Sequence, residues 1–424
     1  MVSGVPGNPP VSSMPACRLC RSPDLRLILS LGEMPLANAL LTAEQLKGPE
    51  ASYPLDLAFC PRCALVQITE TVPPEKLFRE YIYFSSFSET MLRHARHLAE
   101  HVAASRDLGS DSLVVEIASN DGYLLQFYHR RSIPVLGIEP AVNVARVAQE
   151  THGIPTLCEF FDEELARDLK ERGKQADVIH AHNVLAHVAD LHGFVRAMAV
   201  LLKDDGLAVI EVPYIKDLID HCEFDTIYHE HLSYFSLTAL NRLFSECGLT
   251  VRGLERVPIH GGSLRLFVSA GPGSRNSGIP GSTVDALLAE EAAWGVDRLG
   301  FYQDFGQRVE TLKGSLRRLL LTLKQDGERL AGYGAAAKGT ILLNYFRIGP
   351  DILDFVVDLS PYKQGRYVPG VHLPVYPPSE LLKAMPDYLL VLAWNFAGEI
   401  FDQQARYRER GGRLIVPVPE VKIM

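Results

Sequence analysis

The sequence predicts an α/β protein of three parts, a small cysteine ribbon followed by two regions in which strands alternate with helices. Two Cys-x-x-Cys pairs lie near the start, Cys17 with Cys20 and Cys60 with Cys63. From residue 111, and again from residue 328, short apolar runs alternate with helix-like segments. That alternation is typical of parallel sheets covered by helices. Because one core seldom grows beyond about 250–300 residues, we expect domains at 15–72, 73–275 and 283–424.

The composition excludes several classes of protein. The net charge of −9 argues against a nucleic-acid binder, since phosphate backbones need a basic surface. No apolar run reaches the roughly 20 residues of a membrane span. Residues 1–14 lack the features of a signal peptide and are expected to form an unstructured leader. We therefore expect a cytoplasmic protein with no nucleic-acid or membrane partner, and a monomer, because the outer domains cover the middle one.

The two cysteine pairs predict a structural zinc site. Each pair can place two thiolates on one metal, and four thiolates close a tetrahedral Zn²⁺ site with no open position. A redox-active pair is the competing interpretation, but it predicts a single pair near a βαβ unit. The other cysteines, Cys158, Cys222 and Cys247, are expected to be packing residues. Asn38 and Tyr53, which lie between the pairs, carry no functional signal.

The first βα unit of the middle domain favours S-adenosylmethionine (SAM) over NAD. The strand SLVVEIA at 112–118 leads into the turn SNDG and then a helix, without the GxGxxG of dinucleotide sites. Glu139 ends the second strand, where a carboxylate can accept hydrogen bonds from both ribose hydroxyls. Glu116, Asn120 and Asp121 would repel phosphates but suit the cationic amino-acid end of SAM.

A dense group of titratable residues follows the last parallel strand of this domain. The strand GLAVIEVPY at 206–214 precedes DTIYHEHLSYFS at 225–236, and such groups at a sheet end indicate proton transfer. Strands at 250–257 and 263–270 then predict a hairpin that closes the sheet, which is typical of methyltransferases. The loop HGGS between them, with Arg265, offers donors to a phosphate or hydroxyl-rich ligand. Earlier in the chain, the aromatic run YIYFSS at 81–86 predicts either core packing or a lid.

The third domain is expected to begin with an amphipathic helical region at 283–325. The turn GYGAAAKG at 332–339 then opens a helix, where small side chains, the helix dipole and Lys338 would favour a phosphate. A Rossmann-like repeat kept only for packing is the alternative. Candidate nucleotide or sugar contacts after its second strand are Asp358, Tyr362, Lys363 and His372.

Three features in combination closely resemble the nucleotide-sugar C-methyltransferases of deoxysugar biosynthesis. They are the four-cysteine ribbon, EIASNDGYLL with GIEP, and EVPY…YHEHLSYFS with HGGSLR, and the resemblance extends from about Cys17 to Val421. It implies a class I SAM-dependent methyltransferase (Rossmann-like) domain flanked by an N-terminal zinc ribbon and a C-terminal Rossmann-like α/β domain. It also implies SAM and structural Zn²⁺ as cofactors. The implied substrate is a nucleotide-linked keto-sugar, with dTDP as the expected nucleotide.

The resemblance implies a set of site residues. Cofactor contacts fall on Glu116, Ala118, Ser119, Asn120, Gly122, Glu139, Pro140, Phe160, Phe161 and Asn183, with the two phenylalanines flanking the adenine. Active-site roles fall on His231, Tyr228, Glu230, His187 and Tyr83, with Tyr81 as the alternative to Tyr83. Substrate contacts are expected from Tyr81, Tyr214, His260, Ser263, Arg265, Lys338 and Asn344. The zinc ligands are Cys17, Cys20, Cys60 and Cys63.

The expected reaction is methylation of a 4-keto sugar at C3, whose proton the neighbouring carbonyl acidifies. His231 would remove that proton, and Tyr228, His187 or Tyr83 would hydrogen-bond the enolate oxygen. Glu230 would orient His231 or hold a sugar hydroxyl, and His229 is expected to be structural.

Three other functions fit some of these features. An O- or N-methyltransferase would use the same residue types, so the sequence does not separate it from a C-methyltransferase. An NAD-dependent oxidoreductase is disfavoured by the missing GxGxxG. A zinc-ribbon binding module without catalysis is disfavoured by the acidic charge.

Overall fold

Three β-sheets organise the chain in the computed structural model, which describes residues 15–78, 81–270 and 283–424. The leader expected at residues 1–14 lies outside these ranges. The sheets have four, seven and six strands. Within the described ranges, no helix is both long enough and apolar enough to cross a membrane.

The N-terminal part is an antiparallel sheet accompanied by two matched cysteine turns. Its elements are β1 (Arg26–Pro35), β2 (Ser52–Phe59), β3 (Val66–Ile68) and the short helix α1 (Pro74–Phe78). The amide of Arg21 donates to the Cys17 carbonyl, and the amide of Ala64 to the Cys60 carbonyl, both at 2.9 Å. Arg21 and Ala64 share a left-handed backbone, with φ of 59° and 60°. The two turns therefore have the same geometry, which suits two halves of one metal site.

The middle part is a doubly wound sheet closed by the predicted hairpin. In chain order its elements are α2 (Glu89–Ser105), β4 (Val114–Ile117), α3 (Leu125–His129), β5 (Val135–Ile138), α4 (Val142–His152), β6 (Thr156–Leu157), α5 (Glu163–Glu171), β7 (Ala176–His182), α6 (Leu191–Leu201), β8 (Leu202–Pro213), α7 (Ile215–Asp220), β9 (Ser233–Tyr234), α8 (Leu237–Glu246), β10 (Thr250–Val257) and β11 (Ser263–Ser269). The sheet order is β10-β11-β8-β7-β4-β5-β6. β11 runs antiparallel to both of its neighbours, while β8, β7, β4, β5 and β6 are parallel. Their carboxyl ends meet at one edge, where ligands of such sheets bind.

The C-terminal part opens with the predicted helical region and continues as a second, mostly parallel sheet. Its elements are α9 (Val284–Trp294), α10 (Phe305–Gln325), β12 (Leu330–Tyr333), α11 (Ala337–Phe346), β13 (Val356–Val357), β14 (Val375–Tyr376), α12 (Ser379–Ala384), β15 (Tyr388–Val391), α13 (Ala397–Gln403), α14 (Ala405–Glu409), β16 (Arg413–Val416) and β17 (Lys422–Ile423). The helical region is divided because α9 ends at Gly295, which is left-handed at φ 79°. The sheet order is β14-β13-β12-β15-β16-β17, with only β17 antiparallel. This is the Rossmann-like arrangement predicted from the sequence.

The three parts meet in a shared core. β9, although it lies in sequence between β8 and β10 of the middle sheet, pairs with β3 as the fourth strand of the N-terminal sheet. Phe224 of the middle part stacks on Phe346 of α11 with ring centroids 4.8 Å apart. The Thr340 hydroxyl, also in α11, donates to the Ala37 carbonyl at 2.9 Å. These contacts bring residues 225–236, called the YHEH loop below, to the junction of all three parts.

A buried carboxylate attaches the connector helix α9 to the middle part. Glu291 is fully buried, and its two oxygens accept four hydrogen bonds. The donors are the Tyr214 hydroxyl, the amides of Leu237 and Thr238, and the Thr238 hydroxyl. Two of these donors are first-turn amides of α8, where a negative charge is favourable. Glu291 therefore serves as a cap for α8 supplied from another helix.

We predict that Glu291→Gln lowers the free energy of unfolding by about 2–3 kcal/mol, because an amide NH₂ would face donors in place of an acceptor. Chemical denaturation monitored by circular dichroism measures the change. Glu290→Gln, at the exposed neighbouring position of α9, is the matched control and should stay within about 0.5 kcal/mol of the parent. Equal stability of the two variants would show that the Glu291 contacts contribute nothing.

Candidate active site

The four cysteines of the N-terminal part form one cluster. Their sulfurs all lie within 4.8 Å of one another, with Cys17 to Cys63 and Cys20 to Cys60 both at 3.5 Å. A tetrahedral site with Zn–S bonds of about 2.3 Å places its sulfurs about 3.8 Å apart, so the cluster fits Zn²⁺. Four protein ligands leave no open position, and none of these cysteines lines the cavity described next. The donor set is therefore that of a structural site.

The remaining cysteines differ in burial. Cys222 is buried and Cys247 is half-buried, in keeping with a packing role. Cys158 is exposed, so the packing role expected for it is wrong.

A cavity with a volume of about 390 Å³ lies where the three parts meet. The N-terminal part contributes Asn38, and the C-terminal part contributes Lys338. The YHEH loop contributes Thr226, Tyr228 and His231, while the carboxyl edge of the middle sheet forms the opposite side. A cavity of this size, apolar with a few polar groups, suits a small-molecule ligand.

Glu139 is the carboxylate at the sheet edge of the cavity. It directly follows β5 and is only 6% exposed. Its oxygens accept the backbone amides of Asn120 and Ala141, each at 2.9 Å. Burial raises the pKa of Glu139 to about 7, although both amide hydrogen bonds favour the charged form. The carboxylate is thus held rigidly at the position from which it can accept ribose hydroxyls.

Several buried polar atoms near this edge have no hydrogen-bond partner among the described residues. They are both carboxylate oxygens of Glu116, the Ser119 hydroxyl and the Asn183 side-chain oxygen. Burial raises the pKa of Glu116 well above its ordinary value. Each unpaired buried group costs about 1–3 kcal/mol, so acceptors without donors indicate a site that a donor-rich, cationic ligand completes. The ribose hydroxyls and amino-acid end of SAM fit this set.

The predicted cofactor residues divide into two layers. Those that line the cavity are Ala118, Asn120, Glu139, Pro140, Phe160, Phe161 and Asn183. Glu116, Ser119 and Gly122 lie next to them in sequence but outside the cavity wall. Ala118, Asn120 and Asn183 have left-handed backbones, with φ of 55°, 49° and 53°. These turns direct the chain sharply around the edge where the strands end.

The aromatic run at residues 81–86 forms a wall of the cavity. The Asn120 side chain donates to the Tyr83 carbonyl at 3.1 Å and accepts the Ser85 amide at 2.9 Å. Phe84 stacks on Tyr362 of the C-terminal part, with ring centroids 4.5 Å apart. Tyr81 and Tyr83 both line the cavity. The run therefore crosses from the cofactor edge to the C-terminal part.

The Tyr228–His231 pair has a defined protonation pattern. His231 Nδ1 lies 2.9 Å from the Thr226 carbonyl oxygen, which can only accept, so Nδ1 carries the proton. Nε2 then has a lone pair, to which the Tyr228 hydroxyl donates at 2.9 Å. Burial, with His187 and Lys338 nearby, lowers the pKa of His231 well below its ordinary value. Burial likewise raises the pKa of Tyr228 well above 10. The pair is therefore a neutral imidazole and a neutral phenol.

Two further predicted residues line the same cavity. The His187 ring packs edge-on against His231 with centroids 4.9 Å apart. Burial lowers the pKa of His187 to about 4, and its Nδ1 has no partner among the described residues. Burial, with Asp121, raises the pKa of Tyr83 to about 12. Both groups are therefore neutral and able to hydrogen-bond a ligand.

Glu230 was expected to orient His231 or to hold a sugar hydroxyl, but in the structure it binds other side chains. Its two oxygens accept hydrogen bonds from the side-chain NH₂ of Asn38, at 2.8 and 2.9 Å. One of them also accepts a hydrogen bond from the Tyr81 hydroxyl at 2.9 Å. Burial raises the pKa of Glu230 to about 7, and these donors oppose the rise. No hydrogen bond joins the described side chains of Glu230 and His231, and His231 is oriented by the Thr226 carbonyl instead. Glu230 therefore positions Tyr81 rather than His231.

Lys338 brings an unpaired positive charge to the cavity. Its buried ammonium has no hydrogen-bond partner in the described part of the chain and lies 4.2 Å from the centre of the Trp394 ring. Burial lowers the pKa of Lys338, and Asp225 and Glu223 oppose the shift. Asp225 accepts the Trp394 indole N–H at 2.7 Å. Lys338 lies in the first turn of α11, where amides and dipole favour an anion. This end of the cavity suits an anionic ligand group.

The HGGS loop holds His260 in the cavity wall. Gly261 and Gly262 have φ of 100° and 138°. A Cβ at Gly261 would lie 2.3 Å from a Glu223 oxygen, and one at Gly262 would lie 2.4 Å from an Asp217 oxygen. The loop thus needs both glycines to pass these carboxylates. Burial, with Lys338, lowers the pKa of His260 to about 3, so this ring is neutral.

Four predicted substrate contacts lie outside the cavity wall. Tyr214 is bound to Glu291, as described above. The Ser263 hydroxyl donates to the Ile259 carbonyl at 3.0 Å. Asn344 donates to two carbonyls within its own part of the chain, at 2.8 and 2.9 Å. These side chains satisfy neighbouring backbone or buried groups, and we assign them no substrate contact.

Arg265 is the fourth of these residues, and its charge is neutralised internally. It is 6% exposed and donates to Glu211 at 2.6 Å and to Glu255 at 2.7 Å. Glu211 is itself fully buried and also accepts His94 at 2.9 Å. A buried carboxylate needs such a counter-charge, so Arg265 is held in the sheet and does not reach a ligand phosphate.

The side chains after β13 that were predicted to contact a nucleotide or sugar bind other protein groups. The Asp358 carboxylate accepts the amides of Ala335 and Ser360, both at 2.8 Å. Lys363 lines the cavity, but its ammonium donates to the Ala335 carbonyl at 2.9 Å. His372 pairs with Glu50 at the surface. Asp358 does not line the cavity, so we assign it no ribose contact, unlike the acid at this position in a dinucleotide site.

Sequence reasoning missed two groups of the cavity. Asn38 carried no signal because its partner Glu230 is 192 positions away. Asn395 ends the run YLLVLAWN and lines the cavity, and its place just after a strand could have identified it as a ligand-side residue.

Comparisons with known proteins agree with this description. Three family models match consecutive parts of the chain: a zinc binding domain at residues 17–78, a methyltransferase domain at 89–254 and a C-methyltransferase C-terminal domain at 258–419. C-methyltransferase NovU of Streptomyces niveus is 35% identical over 408 residues, which make up 96% of each protein. The match to C-methyltransferases favours a carbon acceptor over the oxygen or nitrogen acceptor that residue types left open.

Two solved structures resemble part of the chain. Magnesium protoporphyrin IX methyltransferase ChlM from Synechocystis PCC 6803 has 12% identity and a TM-score of 0.34, covering 42% of this chain and 83% of that one. The CcbJ methyltransferase from Streptomyces caelestis has 15% identity and a TM-score of 0.33, covering 42% and 89%.

We predict that Glu139→Gln weakens binding of S-adenosylhomocysteine about 10–100-fold, the equivalent of losing hydrogen bonds to a charged acceptor. Isothermal titration calorimetry measures the affinity. Glu150→Gln, on the exposed side of α4, is the control and should bind as the parent does. Unchanged affinity in Glu139→Gln would remove Glu139 from the cofactor site.

Proposed function

Because the chain belongs to the C-methyltransferase family, and is a SAM-dependent enzyme with a zinc-binding domain, we propose that it methylates C3 of a nucleotide-linked 4-keto deoxysugar. The observation that carries this proposal is the neutral Tyr228–His231 pair, which shares one cavity with Glu139 and Lys338. The pair would supply a proton acceptor, Glu139 a contact to the cofactor, and Lys338 a positive charge for the substrate.

Methylation at carbon needs a base, and His231 is the group suited to that role. A C–H bond is acidic enough only beside a carbonyl, which a 4-keto sugar provides. The C3 proton moves to His231 Nε2, and the C–H electron pair passes through C3–C4 to the carbonyl oxygen, giving an enolate. The Nδ1–H bond to Thr226 keeps the lone pair on Nε2. Tyr228 is less suited to be the base, because burial raises its pKa well above 10 and favours the neutral phenol.

The neutral donors around His231 suit the developing oxyanion. In this structure the Tyr228 hydroxyl donates to Nε2. Transfer of that hydrogen bond to the enolate oxygen would free Nε2 for the C3 proton at the same time. Tyr83 and His187 line the same cavity and can add donors. Removing one preorganised donor of this type typically costs about 10²–10³ in rate.

The cofactor edge completes the reaction. When bound, SAM would supply an electrophilic methyl group on its sulfonium, for transfer to the enolate carbon with the S–CH₃ electron pair leaving on S-adenosylhomocysteine. Glu139 would hold the ribose, and the unpaired oxygens of Glu116 would face the cationic amino-acid end. The protein thus contributes the base, the oxyanion donors and placement of the two reactants.

Lys338 supports the nucleotide-linked form of the substrate. An unpaired buried ammonium is costly, and an anionic ligand group offsets that cost. A sugar nucleotide, with dTDP as the proposed nucleotide, carries a diphosphate next to the sugar. With the diphosphate at Lys338, the linked sugar would occupy the space between α11 and the Tyr228–His231 pair.

We predict that His231→Ala abolishes exchange of the sugar C3 proton into deuterated water while S-adenosylhomocysteine binding persists. General-base catalysis typically contributes about 10²–10⁴ in rate, so exchange should fall by at least about 10². Mass spectrometry with a panel of nucleotide-linked 4-keto sugars measures exchange, and gain of one methyl with SAM identifies the acceptor. His192→Ala, at a surface ion pair of α6, is the control. Exchange at the parental rate in His231→Ala would assign the base to another residue.

A second variant tests the anion contact. Lys338→Met keeps most of the side-chain volume and removes the charge, so KM for the nucleotide sugar should rise about 10–100-fold, with cofactor affinity unchanged. Lys383→Met, at an exposed ion pair of α12, should leave KM as it is. If KM stays within twofold in Lys338→Met, the diphosphate lies elsewhere.

A further inference from the structure

The N-terminal part contacts five of the six positions from 229 to 234 of the YHEH loop directly. The His229 ring donates to the Pro54 carbonyl at 3.1 Å, and Glu230 is bound by Asn38. The amide of Ile68 donates to the Leu232 carbonyl at 3.1 Å. Ser233 and Tyr234 then form β9, paired with β3. A zinc module needed only for its own stability would not require this continuous set of contacts.

Arg18, inside the first cysteine turn, makes the most concentrated of these contacts. It is 7% exposed, and its guanidinium donates to the carbonyls of Ile68, Leu232 and Glu70 and to the Thr71 hydroxyl. The Leu232 carbonyl belongs to the residue immediately after His231. One planar cation therefore fixes the end of the N-terminal sheet and the backbone beside the base together.

The position of Arg18 couples this contact to the metal site. It lies between Cys17 and Cys20, and its own amide donates to the Gln67 side chain at 2.8 Å. Closing the four-cysteine cluster on Zn²⁺ fixes the turn from which Arg18 projects. The Leu232 amide donates to the Ala186 carbonyl at 2.7 Å, so the same backbone is also joined to the turn that carries His187.

We propose that the zinc-binding domain is a positioning element of the active site, which holds the YHEH loop in its productive geometry through Arg18 and Asn38. Arg18 acts on the backbone beside His231, and Asn38 acts on Glu230 and, through it, on Tyr81. The two are positioning residues, because neither is needed to accept or donate a proton in the reaction. The inference rests on the proposed function in one respect, namely that the YHEH loop carries the base.

The test uses the full-length, zinc-loaded protein and two positioning variants with matched controls. Arg18→Met keeps the apolar stem and removes all four donated hydrogen bonds. Its control is Arg62→Met, in the second cysteine turn, where the arginine is exposed. Asn38→Ala provides an independent variant if Arg18→Met does not fold, with Gln45→Ala, exposed in the same domain, as its control. Arg18→Lys, which keeps the charge and three donors, tests recovery by a conservative change.

Four quantities are measured for each variant: zinc per chain, affinity for S-adenosylhomocysteine, kcat and KM, and amide hydrogen exchange of residues 226–234. In Arg18→Met and Asn38→Ala, zinc content and cofactor affinity should stay within about twofold of the controls. Loop amides should exchange at least about tenfold faster in Arg18→Met. The value of kcat should fall about 10–100-fold in both variants, as small misplacements of catalytic groups do, with KM changed less than about threefold. Arg18→Lys should recover part of kcat.

Two results would overturn the proposal, and they are distinguishable. Loop exchange and kcat equal to those of Arg62→Met and Gln45→Ala would show that the zinc-binding domain does not position the loop, and the role of His231 would stand. Faster loop exchange with unchanged kcat would show that loop geometry is irrelevant to methyl transfer, which would overturn the proposed function as well.

Discussion

The hydrogen bond from His231 Nδ1 to the Thr226 carbonyl is the interaction on which the proposed chemistry depends, because it selects the tautomer with a free lone pair on Nε2. Without it, a buried imidazole beside a phenol could adopt either tautomer, and in one of them Nε2 could not accept a proton. Burial then keeps the ring uncharged, and the same burial keeps Tyr228 a phenol. The division of roles between base and donor follows from one carbonyl and from the burial of both side chains.

Near this pair lie two buried titratable side chains without a hydrogen-bond partner among the described residues. Glu116 lies on the cofactor side and Lys338 on the opposite part of the chain. Each lowers the stability of the ligand-free protein, since unpaired buried groups cost about 1–3 kcal/mol or more. Their signs are opposite, as a cationic cofactor and an anionic substrate would require. Functional sites commonly lower the stability of the protein in this way, because the same groups are already in position to bind a ligand.

Local sequence patterns predicted the architecture well, but they could not predict contacts between residues far apart in the sequence. The βα alternation, the hairpin and the two cysteine pairs each have a signature within a few residues, so the sheets and the metal cluster followed from the sequence. Asn38 and Arg18 have no such signature, because their partners Glu230 and Leu232 are 192 and 214 positions away. Arg265 was misplaced for the opposite reason. Its local motif HGGSLR resembles a ligand loop, but the buried Glu211 on the neighbouring strand needs its charge.

The most direct test of the central claim is nitrogen NMR of the ¹⁵N-histidine-labelled protein, with His231 assigned by comparison with His231→Ala. At pH 7 we expect a neutral ring with the proton on Nδ1 and an unprotonated Nε2, and this state should persist below pH 6. A doubly protonated ring at pH 7, or a neutral ring with the proton on Nε2, would contradict the account, because neither form can accept the sugar C3 proton at Nε2.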